Sequence, residues 1–226
     1  MKTIITILFL LATGVNAKPI EAYVLYNADD HSVVTGTNIH EVKSVASLTK
    51  LMTAMVAIDT GNVNIELLER LLIRSDNSAA DLLAKQHPYG KLSFIRAMND
   101  KALQLGLHET VFHDPSGLSV FNRSTAREYV DVVIEADKYP LIKQISSTTE
   151  KKFGVKKHYQ ILRNTNPLLK EFSNIALSKT GFTLNAGRCL ALSIESQARK
   201  HIIIILGEPT PQKRNEIARN LINMIQ

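Results

Sequence analysis

Two short stretches near the start of the chain alternate in the manner of strands. Ala22–Asn27 (AYVLYN) and Ser32–Thr37 (SVVTGT) flank the turn-forming Asp29-Asp30-His31, which predicts a hairpin. From Ser47 to Thr60 the period becomes helical. Leu48, Leu51, Met52, Met55, Val56 and Ile58 give one broad apolar face, with the two methionines as core packing, and Gly61 ends the segment. Helices are predicted over Ile65–Ile73 and Ser78–Gln86, on either side of the polar break Arg74-Ser75-Asp76-Asn77. Ser93–Leu105 is another, stopped by Gly106. Asp114-Pro115-Ser116-Gly117 is a turn signal. Ser124 is placed as the N-cap of a helix reaching Ala136.

The pattern then switches back. Ile175–Thr183, Arg188–Ser196 and His201–Leu206 alternate or run apolar like strands, Pro209 and Pro211 break the chain, and Gln212–Ile225 is an amphipathic helix. Strands from both ends therefore surround a helical middle. The economical arrangement is α+β: one antiparallel sheet flanked by helices, plus an all-helical lobe, with a cleft between them.

Met1–Ala17 (MKTIITILFLLATGVNA) has a basic start, an apolar run and small residues before position 18, which predicts a cleaved secretory leader over 1–17 and a catalytic domain over 18–226. Its apolar run is about half the roughly 20 residues that span a bilayer. The exported remainder carries 26 basic and 21 acidic residues, and no stable membrane anchor is expected in it. The composition, 45% hydrophobic and 21% charged with mean hydropathy −0.02, excludes disorder, collagen and a polytopic membrane protein. A sequence pI of about 9.4 favours anionic partners in general. The densest basic stretch, Lys151, Lys152, Lys156, Lys157 and His158, reads as a solvated loop, and no nucleic-acid partner is expected. The lone Cys189 excludes an internal disulfide and reads as a small buried hydrophobe. His108-Glu109 with His113 resembles a zinc helix, but the ligand position is taken by Phe112, so no metal or other cofactor is expected.

Three short motifs carry chemistry. In Ser47-Leu48-Thr49-Lys50 the i, i+3 spacing puts an amine beside a hydroxyl on one helical face. A serine is a weak nucleophile without an adjacent base, and a lysine serves as that base when its site lowers its pKa. In Ser75-Asp76-Asn77 a hydroxyl can relay a proton between Lys50 and a leaving group, and the Asn77 amide can orient Lys50 or hold a carbonyl; a simple helix cap is the competing reading. In Lys179-Thr180-Gly181, Lys179 and Thr180 can bind a carboxylate, Gly181 admits a close backbone approach, and the Phe182 N–H can complete an oxyanion hole; an edge strand with a solubilising lysine competes. The three occur once each and in the order of the S-x-x-K, S-D-N, K-T-G set of penicillin-binding proteins and class A β-lactamases.

The chain also resembles the low-molecular-mass penicillin-binding proteins of the D-alanyl-D-alanine carboxypeptidase family, peptidase family S11, and within it the endopeptidase branch. The resemblance rests on Ser44–Ala54 (SVASLTKLMTA), Ile73–Ala84 (IRSDNSAADLLA), Phe112–Arg127 (FHDPSGLSVFNRSTAR), Arg163–Leu168 (RNTNPL) and Leu177–Leu190 (LSKTGFTLNAGRCL). It implies a β-lactamase/DD-peptidase-like fold and an acyl-enzyme at Ser47 with Lys50 as proton acceptor. Ser75 and Asn77 would assist, Lys179 would bind a terminal carboxylate, the N–H groups of Ser47 and Phe182 would hold the oxyanion, and Arg188 would touch substrate. The implied partners are peptidoglycan peptides, with β-lactams as covalent inhibitors, in the periplasm or elsewhere outside the cell. The resemblance departs where only 28 positions separate Ser47 from Ser75, an interval shorter than the family's. Two alternatives follow: a β-lactamase-like hydrolase, which needs a carboxylate to activate water and has no Glu evidently placed for it, or a peptidoglycan-binding protein whose shortened interval impairs catalysis.

Overall fold

The computed structural model describes residues 21–226 apart from 62, 156 and 157, so the expected leader lies outside the described residues, as do Lys156 and Lys157. The strands are β1 (Ala22–Asn27), β2 (Ser32–Thr37), β3 (Lys43–Ser44), β4 (Arg123–Ser124), β5 (Glu150–Val155), β6 (His158–Arg163), β7 (Ile175–Thr183), β8 (Gly187–Ser196) and β9 (Arg199–Glu208). The helices are α1 (Lys50–Asp59), α2 (Ile65–Ile73), α3 (Asn77–Lys85), α4 (Gly90–Gln104), α5 (Ala126–Asp137), α6 (Pro140–Ser146) and α7 (Pro211–Asn223). Five strands form one antiparallel sheet in the order β2-β1-β9-β8-β7. Strands from the two ends of the chain thus meet at its centre, as the terminal strand patterns predict.

The side-chain alternation of β9 explains its unbroken apolar run. Ile202, Ile204 and Leu206 pack into the larger core with α1–α5, whereas Ile203 and Ile205 face Leu190, Leu192, Ala218, Leu221 and Ile222 beneath α7. A central strand covered on both faces has no polar face to show. The helical lobe sits on the first of these faces, and α6 packs against β7.

Several local expectations change. The segment Ser47–Thr60 is two pieces, a 3-10 turn at Ala46–Thr49 followed by α1. The N-cap of α5 is Thr125, whose hydroxyl accepts from the Glu128 N–H, while Ser124 lies in β4. The lysine-rich stretch from 151 is a β-hairpin, not a loop. Leu162 faces the core and Lys151 pairs with Glu69, so only part of each strand is apolar and the alternation is masked. His108 and Glu109 donate their backbone N–H groups to the Glu128 carboxylate, and Cys189 is fully buried, its thiol pushed up to about 11 by desolvation.

Candidate active site

The three motifs meet at the junction of the sheet and the helical lobe. Ser47 lies in the 3-10 turn that leads into α1, and Lys50 is the first residue of that helix. The Lys50 Nζ donates to Ser47 Oγ at 2.9 Å, to Asn77 Oδ1 at 2.7 Å and to the Ser116 carbonyl. All three ammonium hydrogens therefore have acceptors, and the side chain is inaccessible to solvent. Burial lowers its pKa to about 8, against the opposing pull of Asp114 and Asp76. A lysine so placed becomes neutral near physiological pH and can accept the Ser47 proton.

The Ser75-Asp76-Asn77 break is both a cap and a site. The Asp76 carboxylate caps α3 at the N–H groups of Ser78 and Ala79 and forms a two-nitrogen ion pair with Arg70 of α2. That anchoring swings the neighbours into place: Asn77 points at Lys50, and Ser75, with φ 62°, turns its hydroxyl toward β7. Backbone held in this left-handed region costs of order 1–3 kcal/mol and persists where its surroundings over-determine it. The partner of Ser75 is Lys179, at 2.9 Å, rather than Lys50. Removing the cap and the ion pair with Asp76→Ala is expected to cost about 1–2 kcal/mol of stability, read as a shift in urea midpoint, and to lower activity with it.

Lys179 lies on the edge strand but is buried, not solubilising. Its amine donates to Ser75 and to the Thr180 carbonyl, and burial, then the charges of Lys50 and Arg214, hold its pKa well below the usual lysine value. The Thr180 hydroxyl meets that of Thr165, whose own N–H donates to the Ile73 carbonyl, so the 164–166 turn ties β7 to the end of α2. A Cβ on Gly181 would stand 3.1 Å from the Ser47 nitrogen, which is why this strand can run directly alongside Ser47. Phe182 follows at the rim, with the Arg188 guanidinium 3.5 Å above its ring.

The turn 114–117, which the three motifs do not include, also contacts Lys50. Asp114 accepts from the N–H groups of Ser116, Gly117 and Ser119 and from the Ser116 hydroxyl. Desolvation works against its charge, but these bonds prevail and keep its carboxyl below the usual range. They aim the Ser116 carbonyl at Lys50. Its one trace in the sequence is the Asp-Pro-Ser-Gly turn, because a backbone carbonyl leaves no side-chain signature. Asn122 locks the turn through its amide contacts with His113, Asp114 and Thr49. A cavity of about 690 Å³ opens beside Asn77 and Ser116, between α3 and residues 114–119. The 28-position interval thus leaves Asn77 within reach of Lys50.

Comparison with known proteins gives one consistent neighbourhood. The family model for D-alanyl-D-alanine carboxypeptidase, peptidase S11, matches residues 61–210, which hold the second and third motifs; Ser47 and Lys50 precede that match. The D-alanyl-D-alanine endopeptidase of Escherichia coli K12 is 36% identical over 200 residues, covering 74% of this chain and 64% of the relative. That of Haemophilus influenzae is 31% identical, covering 80% and 72%. The chain spans just under two thirds of the length of the Escherichia coli and Pseudomonas aeruginosa endopeptidases. Among solved structures, a single-residue mutant of the Streptomyces K15 DD-transpeptidase superposes with TM-score 0.85 at 23% identity, covering 92% of this chain and 97% of that one. Penicillin-binding protein D2 of Listeria monocytogenes, in a cefotaxime-bound form, gives 0.81 at 24%, covering 91% and 96%. These structures share the α+β architecture derived above. With three motifs converging on Ser47 and a family match over more than half its length, the chain belongs to the D-alanyl-D-alanine carboxypeptidase family, peptidase S11.

Proposed function

We propose that this protein is an exported serine-type peptidase that hydrolyses D-alanyl peptide bonds in the stems or cross-links of peptidoglycan. The observation that carries the reading is the buried Lys50 amine, shifted to a pKa of about 8 and held 2.9 Å from the Ser47 hydroxyl by Asn77 and Ser116. Neutral Lys50 takes the Ser47 proton as Oγ attacks the D-alanyl carbonyl. The N–H groups of Ser47 and Phe182 receive the oxyanion. The tetrahedral adduct then expels the amine, which takes the proton that Lys50 gained from Ser47, while Lys179 holds the Ser75 hydroxyl beside it at 2.9 Å. A terminal carboxylate is held at the Thr180 hydroxyl, with Arg188 at the rim. Water entering on the vacated side releases the acyl group and restores Ser47.

A β-lactam would acylate the same oxygen but keep its leaving amine tethered in the path of water. Asp114, the carboxylate nearest this chemistry by its field on Lys50, is occupied by four hydrogen bonds. It is poorly placed to activate water, which argues for a long-lived adduct rather than β-lactamase turnover. The relatives' names, D-alanyl-D-alanine endopeptidase among them, support the substrate class.

The test is digestion of purified muropeptides followed by liquid chromatography. The expected result is loss of cross-linked dimers or of terminal D-Ala with the parent protein and neither with Ser47→Ala. Equal profiles with the two proteins would overturn the reading.

A further inference from the structure

We infer that the cavity beside Asn77 is the seat of the acyl-donor peptide, and that Lys91 selects a donor carrying a carboxylate upstream of the scissile bond. This rests on the peptidase reading above and adds a specificity determinant to it.

The cavity measures about 690 Å³, far more than the methyl group of a D-alanyl residue fills. Asn77 and Ser116, which hold Lys50 beside Ser47, form one end of its lining, and a peptide acylating Ser47 would enter it past Asn77. Leu82, 41% exposed, and Leu118, 62% exposed, form apolar walls, which suit the stem of an extended peptide. At its far side stand Asp81 and Lys91.

The charge balance there is uneven. Asp81 already pairs with Lys85 at 2.8 Å and with Lys91 at 2.6 Å, so one carboxylate faces two ammonium groups. Lys85 does not line the cavity, whereas Lys91 does, with 42% of its side chain open to solvent. One acidic partner leaves hydrogens on Lys91 for a second carboxylate. Asp114, the other acid on the wall, lies at the Asn77 and Ser116 end, its oxygens taken up by its own turn and its field acting on Lys50. At the Lys91 end the wall therefore favours an anionic branch over a cationic one.

The distance fits a short peptide. Asp81 lies one helical turn, about 5.4 Å, beyond Asn77 along α3, and Lys91 lies just past it. Adding the reach from Asn77 through Lys50 to Ser47 gives a span of about 11 Å, which an extended chain covers in about three residues at roughly 3.3–3.6 Å each. The carboxylate selected is thus on the second or third residue before the scissile bond.

The experiment compares two synthetic peptides ending in D-Ala-D-Ala that carry glutamate or glutamine two residues before the acylated D-Ala. The parent is expected to favour the glutamate peptide about fivefold in kcat/KM, mostly through KM, the size of one partly exposed ion pair. That preference should shrink in about 0.5 M NaCl, as screening requires. Lys91→Gln is expected to remove it and Lys91→Glu to reverse it, with the glutamine peptide reporting intact chemistry in each variant. A parent without preference, or a preference that survives Lys91→Gln, overturns the inference while leaving the peptidase reading in place. Absence of turnover on both peptides, together with absence of a penicilloyl adduct, overturns the peptidase reading and this inference with it.

Discussion

Replacing Lys50 by Met is expected to lower the rate of Ser47 acylation by about 10²–10⁴-fold, the range of a lost general base, and to abolish its pH dependence. The lysine can accept the Ser47 proton only when neutral. With a folded-state pKa of about 8, roughly a tenth of the molecules are in that form at pH 7. The parent's acylation rate should therefore climb about tenfold per pH unit below 8 and level off above it. Lys50→Met has no group to titrate there and should give a low, flat profile. Burial of an uncharged side chain of similar length keeps the fold, so an unchanged thermal transition separates loss of chemistry from loss of structure. A profile in the variant that still rises through pH 8 would assign the base to another group.

The second large effect is expected at Gly117, which nothing in its chemistry marks as catalytic. It has φ +86°, and an added Cβ would stand 1.9 Å from the Ala46 carbonyl oxygen and 2.8 Å from the Ser47 nitrogen. Those are backbone atoms and cannot turn aside. Ala46 is itself at φ 46°, so Ser47 is presented by a strained turn pressed against a position that only glycine can fill. Gly117→Ala should cost about 2–4 kcal/mol of stability. In whatever folds, Ser47 is displaced from Lys50 and acylation falls by at least about 10²-fold, the cost of roughly 1 Å of misplacement. Gly106→Ala is the control. Gly106 has φ +74° but open space around it, so the same substitution should cost only about 1 kcal/mol and leave acylation unchanged. Equal losses in the two variants would mean that backbone conformation alone matters, not the contact with Ala46.

These two residues also show what the sequence can and cannot disclose. Lys50 is legible because an i, i+3 Ser–Lys pair at the head of an apolar helix has a chemical meaning that survives without coordinates. The sheet is legible for a similar reason: β1, β7, β8 and β9 are buried, and burial imposes alternation or an apolar run. Gly117 and Ser116 are not. The first acts through an absent atom and the second through its carbonyl, and both act on residues far away in the chain. Ser75 is half legible. Its hydroxyl reads as a relay between Lys50 and a leaving group, but the left-handed turn sends it to Lys179, and the sequence does not disclose that rotation. The hairpin β5–β6 is hidden because its outer face is basic and aromatic, with Lys152 set 5.0 Å over Tyr159, so its composition is that of a loop. The short interval before Ser75 suggests a disturbed site. Instead α2 runs almost at once into the Asp76 cap, and that cap fixes where Asn77 points.

The proposed catalysis depends on one bond: a covalent ester between Ser47 and an acyl donor, formed with the help of Lys50. Intact-mass spectrometry after incubation with benzylpenicillin reads that bond directly. A single stable adduct of one penicilloyl group on the parent protein, absent from Ser47→Ala under the same conditions, is the predicted result. No adduct on the parent at any time, or an adduct that Ser47→Ala forms equally well, would contradict it.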